Sequence, residues 1–253
     1  MRLGLSSASL PNASLSELVA ACGRRGLAAL ELRQGDGHEV TPGIEAPVQR
    51  VETVLPSDGS VELVGYRCPL GSILQGEPGE DLVALVRTLG IPLLIEGGET
   101  LEVRLETAQR FTRTGAEVRL VVSGPEAAEG AEIALEQGLT LAWDVAPSDE
   151  LERDLDRLGE HLGTSLRYIR IRGGGPETTD EAGGGIGSLM GRLALAGFRG
   201  PVVLSPSSRR FRVIWEAWLG RRGGWGCGGA GPKEKLTILE QDAVNPEEEK
   251  TST

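Results

Sequence analysis

Short apolar runs alternate with helix-like stretches along most of this 253-residue chain. The runs at residues 2–7 and 166–172, RLGLSS and LRYIRIR, are typical of strands. The stretch at 12–26 repeats its apolar residues at the spacing of an amphipathic helix, with Leu18 and Cys22 on one face. Strict alternation of strand and helix implies parallel strands joined by right-handed crossovers. The sequence therefore predicts an α/β fold.

The number of repeats narrows this fold class. Strands are predicted at 2–7, 28–33, 60–68, 91–97, 117–122, 139–145, 166–172 and 201–205. Helices are predicted at 12–26, 80–89, 101–114, 127–137, 149–162, 186–196 and 209–219. Eight units within about 220 residues fit a (β/α)8 TIM barrel, at the short end of its size range. A doubly wound open sheet is the rival, but it usually has a glycine fingerprint after its first strand, and SSASLPN follows here. We predict a single-domain TIM barrel over residues 1–220.

The last part of the chain has a different composition. The segment 221–232, RRGGWGCGGAGP, is mostly glycine, and all three lysines of the chain follow it. Such a sequence cannot bury enough apolar surface to become ordered. We therefore predict a Gly-rich linker and a disordered charged tail over 221–253.

The charge balance restricts the partners. The chain has 26 Lys+Arg and 37 Asp+Glu, which gives a formal net charge of −11. An acidic protein lacks the basic patch that nucleic acids and anionic membranes require. Its three cysteines are too far apart for a disulfide framework or a zinc cluster. We expect a soluble, cytoplasmic protein with a small-molecule ligand, no nucleic-acid partner and no membrane partner, and the oligomeric state stays open.

Polar and charged residues lie close to the predicted strand ends. In a TIM barrel these ends form the mouth where active sites lie. The rim residues are Ser6, Ser7, Glu31, Arg33, Tyr66, Arg67, Glu96, Ser123, Asp144, Arg170, Arg172 and Ser205. A charge in such a position has to be solvated, paired or functional. Two interpretations stay open, namely ion pairs that line the mouth or groups that bind a shared ligand.

Two loops carry further candidates. His38 follows the second strand in GDGHEV and titrates near neutral pH, so it is either an acid or base above the mouth or an exposed loop residue. The glycine-dense segment 173–188 precedes a helix, and its backbone amides suit a phosphate. Its acidic residues oppose an anion, however, and a flexible crossover is the alternative interpretation.

Three stretches resemble a known family. The opening RLGLSSASLPNASLSELVAACGRRGLAALELR resembles the first β-α-β unit of the sugar phosphate isomerase/epimerase family, the xylose isomerase-like TIM barrels. LAWDVAPSDEL is similar to the sixth unit, and residues 167–206 are similar to the last two units. The resemblance covers most of residues 1–220 and implies a barrel that binds a small carbohydrate or sugar phosphate.

The resemblance also implies a metal site, from which this chain departs. Members of the family typically bind a divalent metal through a Glu after strand five, an Asp after strand six, a His in strand seven and a Glu ending strand eight. The matching residues here are Ser123, Asp144, Arg170 and Ser205, so one ligand of four is retained. A divalent cation needs several carboxylate or imidazole donors, and a guanidinium repels it. We therefore expect no cofactor and, in particular, no divalent metal.

The leading hypothesis is a divergent sugar phosphate isomerase/epimerase-like barrel. Aldose–ketose isomerisation or epimerisation by proton transfer needs a base, for which the rim offers Asp144, Glu31 and Glu96. Arg170 is the candidate electrophile in place of the metal. The candidate substrate-binding residues are Arg33, His38, Arg67, Arg172, Ser123 and Ser205.

The alternative hypothesis is a non-catalytic barrel, that is, a pseudoenzyme that senses a sugar or acts as a protein scaffold. In that case Arg170 and Asp144 form a salt bridge that fills the former metal site. Whether the protein is an enzyme stays open at this point.

Overall fold

The computed structural model describes residues 1–43, 46–70, 79–97, 100–123, 126–145, 156, 164–172 and 182–205. Three predicted segments lie outside these residues: the helix at 149–162 apart from Asp156, the helix at 209–219, and the linker and tail at 221–253. The predicted domain boundary at residue 220 lies outside them as well, so it stays a prediction.

Eight parallel strands close into a barrel in sequence order, and β8 is hydrogen-bonded to β1. The strands are β1 (Arg2–Ser6), β2 (Ala29–Arg33), β3 (Glu62–Pro69), β4 (Leu93–Glu96), β5 (Val118–Ser123), β6 (Thr140–Val145), β7 (Leu166–Arg172) and β8 (Pro201–Ser205). The predicted TIM barrel is confirmed, and the bounds agree with the predicted runs to within two residues at each end.

Helices follow most of the described strands. They are α1 (Leu15–Arg25), α2 (Pro47–Val54), α3 (Glu80–Leu89), α4 (Leu101–Arg113), α5 (Glu126–Glu136) and α6 (Ala182–Leu195), and a 3-10 helix spans Ser7–Ser9. α1 begins at a capping box in which Ser14 Oγ accepts from the Glu17 N–H and the Glu17 carboxylate accepts from the Ser14 N–H. α6 begins earlier than the predicted residue 186. None of the described helices is long and apolar enough to cross a membrane.

The buried apolar residues form two separate clusters. The larger one fills the space between the strands and the helices, and Trp143 belongs to it. The smaller one lies inside the ring of strands and consists of Ala29, Val64, Leu94, Val121, Ala142, Tyr168 and Val203. Because side chains alternate across a strand, the residue two positions further along these strands also faces inward, except on β3, where the register shift beside Val64 turns Arg67 inward instead of Tyr66. This alternation places polar rim residues one layer above the apolar cluster, at the carboxyl ends of the strands.

Candidate functional site

The carboxyl ends of five strands bring three carboxylates and two guanidiniums into contact inside the barrel. They belong to Glu31 on β2, Arg67 on β3, Glu96 on β4, Asp144 on β6 and Arg170 on β7, which we call the arginine–carboxylate network. The side chains of Glu31 and Arg67 are fully buried, and that of Glu96, the most exposed of the five, is 16% exposed. Charges at this depth have lost most of their hydration and need partners.

Glu31 is held by four hydrogen bonds at the base of this network. Its Oε1 accepts from Ser6 Oγ at 2.7 Å. Its Oε2 accepts from Arg67 Nε at 3.0 Å, from Arg67 Nη2 at 2.8 Å and from the Tyr168 hydroxyl. Burial raises the pKa of the Glu31 carboxyl, but the Arg67 and Arg170 charges, with the hydrogen bonds from Arg67 and Tyr168, outweigh burial and lower the pKa to about 2. Glu31 is therefore ionised at neutral pH and has no oxygen without a partner.

Arg67 links all three carboxylates. Besides its bonds to Glu31, its Nη1 donates to Glu96 Oε2 at 3.1 Å and its Nη2 donates to Asp144 Oδ1 at 3.3 Å. Burial lowers the pKa of Arg67, but the Glu31 and Asp144 charges outweigh burial and raise it above its usual value. The side chain has no exposed surface. The structure thus places this sequence-predicted binding residue beneath the mouth, where it holds other side chains.

Arg170 lies directly opposite Asp144 in the register of β6 and β7. Its Nε donates to Asp144 Oδ1 at 2.8 Å, and its Nη2 donates to Asp144 Oδ2. The same Nη2 donates to Glu96 Oε2 at 3.1 Å, and Nη1 lies 3.8 Å from Glu31 Oε1. Arg170 therefore occupies the centre of the three carboxylates, and both Asp144 oxygens are engaged.

Two further arginines lie one inward-facing position closer to the mouth. Arg33 on β2 follows Glu31 by two residues, its side chain is 37% exposed, and its Nε donates to Glu96 Oε1 at 3.1 Å. Arg172 on β7 follows Arg170 by two residues, and its side chain is 47% exposed. The carboxylates of the network are buried, whereas these two guanidiniums reach solvent. Among the described residues, the charge that the mouth exposes is therefore mainly positive.

Comparisons with known proteins agree with this architecture. No family model matches the sequence, and no curated protein matches it either. Solved structures do match: the 3-keto-D-glucoside 4-epimerase YcjR from E. coli has a TM-score of 0.59 at 13% identity, over 88% of this chain and 99% of that one. A D-psicose 3-epimerase from Clostridium cellulolyticum has a TM-score of 0.58 at 13% identity, over 90% and 100%. An L-ribulose 3-epimerase has a TM-score of 0.53 at 13% identity, over 97% and 99%.

In its fold, this chain is a (β/α)8 barrel similar to those of these sugar epimerases. The resemblance predicted from the sequence is thereby confirmed at the level of the fold. At these low identities the likeness does not extend to activity, and the activities named above belong to those proteins.

The mouth of this barrel does not fit the divalent metal that the family resemblance implies. Asp144 is present, but both of its oxygens accept from Arg170. Ser123 lies beside it in the register of β5 and β6, where a hydroxyl replaces the expected carboxylate. A cation at this point would face the guanidiniums of Arg67 and Arg170. Among the described residues, no group of three or more His, Cys, Asp or Glu side chains is arranged to hold a metal ion.

The remaining predicted site residues lie at different depths. Ser123 and Ser205 are half-buried at the ends of β5 and β8, and within the described part of the chain neither hydroxyl has a hydrogen-bond partner.

His38 is 1% exposed. Its Nε2 donates to the Arg33 carbonyl at 2.7 Å, because its Nδ1 accepts from the Val40 N–H at 3.2 Å. Burial lowers the pKa of His38, so the ring is neutral at pH 7. Its two nitrogens form hydrogen bonds with backbone groups of its own loop. This placement does not favour a role as an acid or base above the mouth.

Sequence reasoning missed one member of the site, Tyr168. Burial and the neighbouring Glu31 charge raise the pKa of its hydroxyl well above the usual value, so it stays a hydrogen-bond donor. The signal for it was present, because strand alternation in YIRIR places Tyr168 on the same face as Arg170 and Arg172. Ser6 was identified as a rim residue but not as a hydrogen-bond donor to Glu31.

Proposed function

We propose that this barrel binds a small carbohydrate or sugar phosphate at its mouth and does not carry out metal-dependent proton transfer. The observation that carries the proposal is the arginine–carboxylate network, which fills the place where the family resemblance implies a metal. The protein would then act as a sugar sensor or as a scaffold. A cytoplasmic location without nucleic-acid or membrane partners belongs to the same proposal and rests on the acidic composition.

The carboxylates of the network are poorly suited to remove a proton from a sugar carbon. A general base has to lie within hydrogen-bond reach of the substrate and have a pKa near the working pH. Glu31 is fully buried with a pKa lowered to about 2. Asp144 accepts hydrogen bonds at both oxygens. Each of these groups would have to leave an arginine before it could accept a proton.

The groups that remain available suit ligand binding. The hydroxyls of Ser123 and Ser205 can each donate and accept, as recognition of a polyhydroxylated ligand requires. The half-exposed guanidiniums of Arg33 and Arg172 suit hydroxyl oxygens or an anionic substituent. These side chains come from β2, β5, β7 and β8. They are therefore distributed around the opening of the barrel and not confined to one side of it.

A second candidate function is metal-free isomerisation or epimerisation. The observation in its favour is Glu96, which is the most exposed carboxylate of the network and lies 3.1 Å from Arg170 Nη2. Burial raises the pKa of Glu96, but Arg67, Arg170 and Arg33 outweigh burial and lower it. Glu96 would be the base, and Arg170 would stabilise the enediolate oxygen.

One pair of measurements separates the two candidates. Calorimetric titration with a panel of ketohexoses, pentoses and their phosphates measures binding, and NMR in D2O measures exchange of the carbon-bound proton beside the carbonyl. We expect binding without deuterium incorporation. Incorporation that is lost in Glu96→Gln and kept in the exposed control Glu117→Gln would establish the second candidate. The absence of binding to every panel member contradicts both.

A further inference from the structure

We propose that Arg172 and Ser205 form a subsite for the anionic group of the ligand, a phosphate or a carboxylate. This inference rests on the proposed function, because it assigns one end of the bound carbohydrate to one pair of residues. It narrows the ligand class from carbohydrates in general to sugar phosphates and sugar acids.

The fold places the two residues side by side at the mouth. Arg172 is the last residue of β7 and Ser205 is the last residue of β8. They are paired in the parallel register of these strands. TIM barrels frequently bind phosphate on the side of the mouth next to strands seven and eight. A guanidinium and a hydroxyl at these positions can contact the same oxyanion.

Arg172 differs from the other mouth arginines in its bonding. Arg67 and Arg170 donate hydrogen bonds to two or more carboxylates each, and Arg33 donates to Glu96. In the part of the chain that the structure describes, the nearest carboxylate oxygen to Arg172 is Asp144 Oδ2, 3.9 Å from Nε, which is beyond hydrogen-bond distance. The fork formed by its two terminal nitrogens is therefore available to an oxyanion in the bidentate geometry that guanidinium favours.

The charge of Arg172 is only weakly compensated by Asp144, with which it forms a long ion pair of 3.9 Å. Asp144 is already paired with Arg170 through two hydrogen bonds and with Arg67 through a third. Both Asp144 oxygens are thus already engaged by two other guanidiniums, and the contact with Arg172 is the longest of the three. Half of the Arg172 side chain is exposed, which leaves it positive and accessible in a chain of net charge −11.

The test uses the full chain and four probes: D-fructose, D-fructose 6-phosphate, D-gluconate and inorganic phosphate. Calorimetric titrations compare wild type with Arg172→Gln, Arg172→Lys and Ser205→Ala. The matched control is Arg167→Gln, because Arg167 lies on the same strand at its opposite end and the substitution changes the net charge equally. Thermal unfolding of every variant shows that each one is folded.

We expect the phosphorylated or carboxylated sugar to bind at least about tenfold more tightly than D-fructose, as a charge-assisted bidentate contact implies. Arg172→Gln should remove that advantage, Arg172→Lys should retain part of it, Ser205→Ala should reduce it, and Arg167→Gln should leave it unchanged. Equal binding of neutral and anionic sugars, or an advantage that survives in Arg172→Gln, overturns the subsite and leaves the proposed function standing. If none of the sugars binds, the proposed function fails together with the subsite.

Discussion

Glu31 provides the most direct test of the network, because one isosteric substitution removes its charge and keeps its shape. In Glu31→Gln the amide oxygen can still accept from Arg67 and Tyr168, and the amide nitrogen can face Ser6 Oγ, so what is lost is mainly the charge. The native pKa of about 2 compares with an ordinary value of 4.5. That difference corresponds to about 3 kcal/mol at neutral pH, and this is the destabilisation we expect.

The pH dependence gives the same prediction a second readout. The Glu31 pKa is lower in the folded chain than in the unfolded chain, so its stabilisation is fully present above about pH 4.5 and is lost as the pH falls toward about 2. Wild type should therefore lose stability over this acidic range, and Glu31→Gln should lack that part of the loss. Urea unfolding between about pH 2.5 and 7 measures both quantities, and the thermal midpoint of Glu31→Gln at pH 7 should lie about 6–12 °C below that of wild type.

The control is Glu117→Gln, because this glutamate is 54% exposed and pairs with Arg119 at the surface. Exposed pairs of this kind contribute at most about 1 kcal/mol. The reasoning is refuted if Glu31→Gln is as stable as wild type at pH 7, or if the two lose stability equally as the pH falls.

The other predictions concern the place where the family resemblance implies a metal, and two local contacts. Mn²⁺, Mg²⁺ and Co²⁺ should leave the thermal midpoint of wild type unchanged. The same ions should raise the thermal midpoint of the triple variant S123E/R170H/S205E. A higher midpoint of wild type in the presence of these ions would contradict the absence of a metal site. Gly4→Ala should destabilise the barrel by about 1–3 kcal/mol, because a Cβ there would lie 2.6 Å from a carbonyl oxygen of β2; unchanged urea unfolding would show that β1 can shift. Ser14→Ala removes the cap of α1 and should cost about 1 kcal/mol in the same assay; no loss would mean that the cap is not needed.

The sequence was sufficient to predict the barrel because its strands are short, apolar and clearly delimited. The strands predicted at 166–172 and 201–205 have the same bounds as β7 and β8. The sequence marks these bounds, because Gly173 follows the first run and Gly200 and Pro206 flank the second. The beginning of α6 was less predictable. Its first turn is mostly glycine, which has a low helix propensity, but Leu189 and Leu193 are fully buried, and packing of this kind outweighs propensity.

The rim charges were also visible in the sequence, but their pairing was not. Pairing depends on register, and the β2–β3 register shifts between Leu30 and Glu31, which brings Glu31 opposite Gly65 and Arg33 opposite Arg67. Strand alternation alone gives no sign of such a shift. The sequence therefore left Asp144 and Arg170 as either a pair or a ligand site and could not show that Arg67 contacts all three carboxylates.

His38 shows a different limit of sequence reasoning. A histidine in a loop after a barrel strand is a reasonable acid or base on its titration range alone. In the structure the loop folds back, and the ring satisfies the Arg33 carbonyl and the Val40 N–H, two backbone groups that a buried loop has to pair. No local sequence pattern around His38 predicts that the loop folds back in this way.

Arg170 has a consequence for the conditions under which this barrel works. The positive charge at the centre of the three carboxylates belongs to an arginine side chain. It is therefore covalently part of every molecule of the protein. Chelators cannot extract it, competing ions cannot exchange with it, and scarcity of trace elements cannot deplete it. The positive charge at the centre of the network therefore does not depend on which metal ions are available to the folded chain.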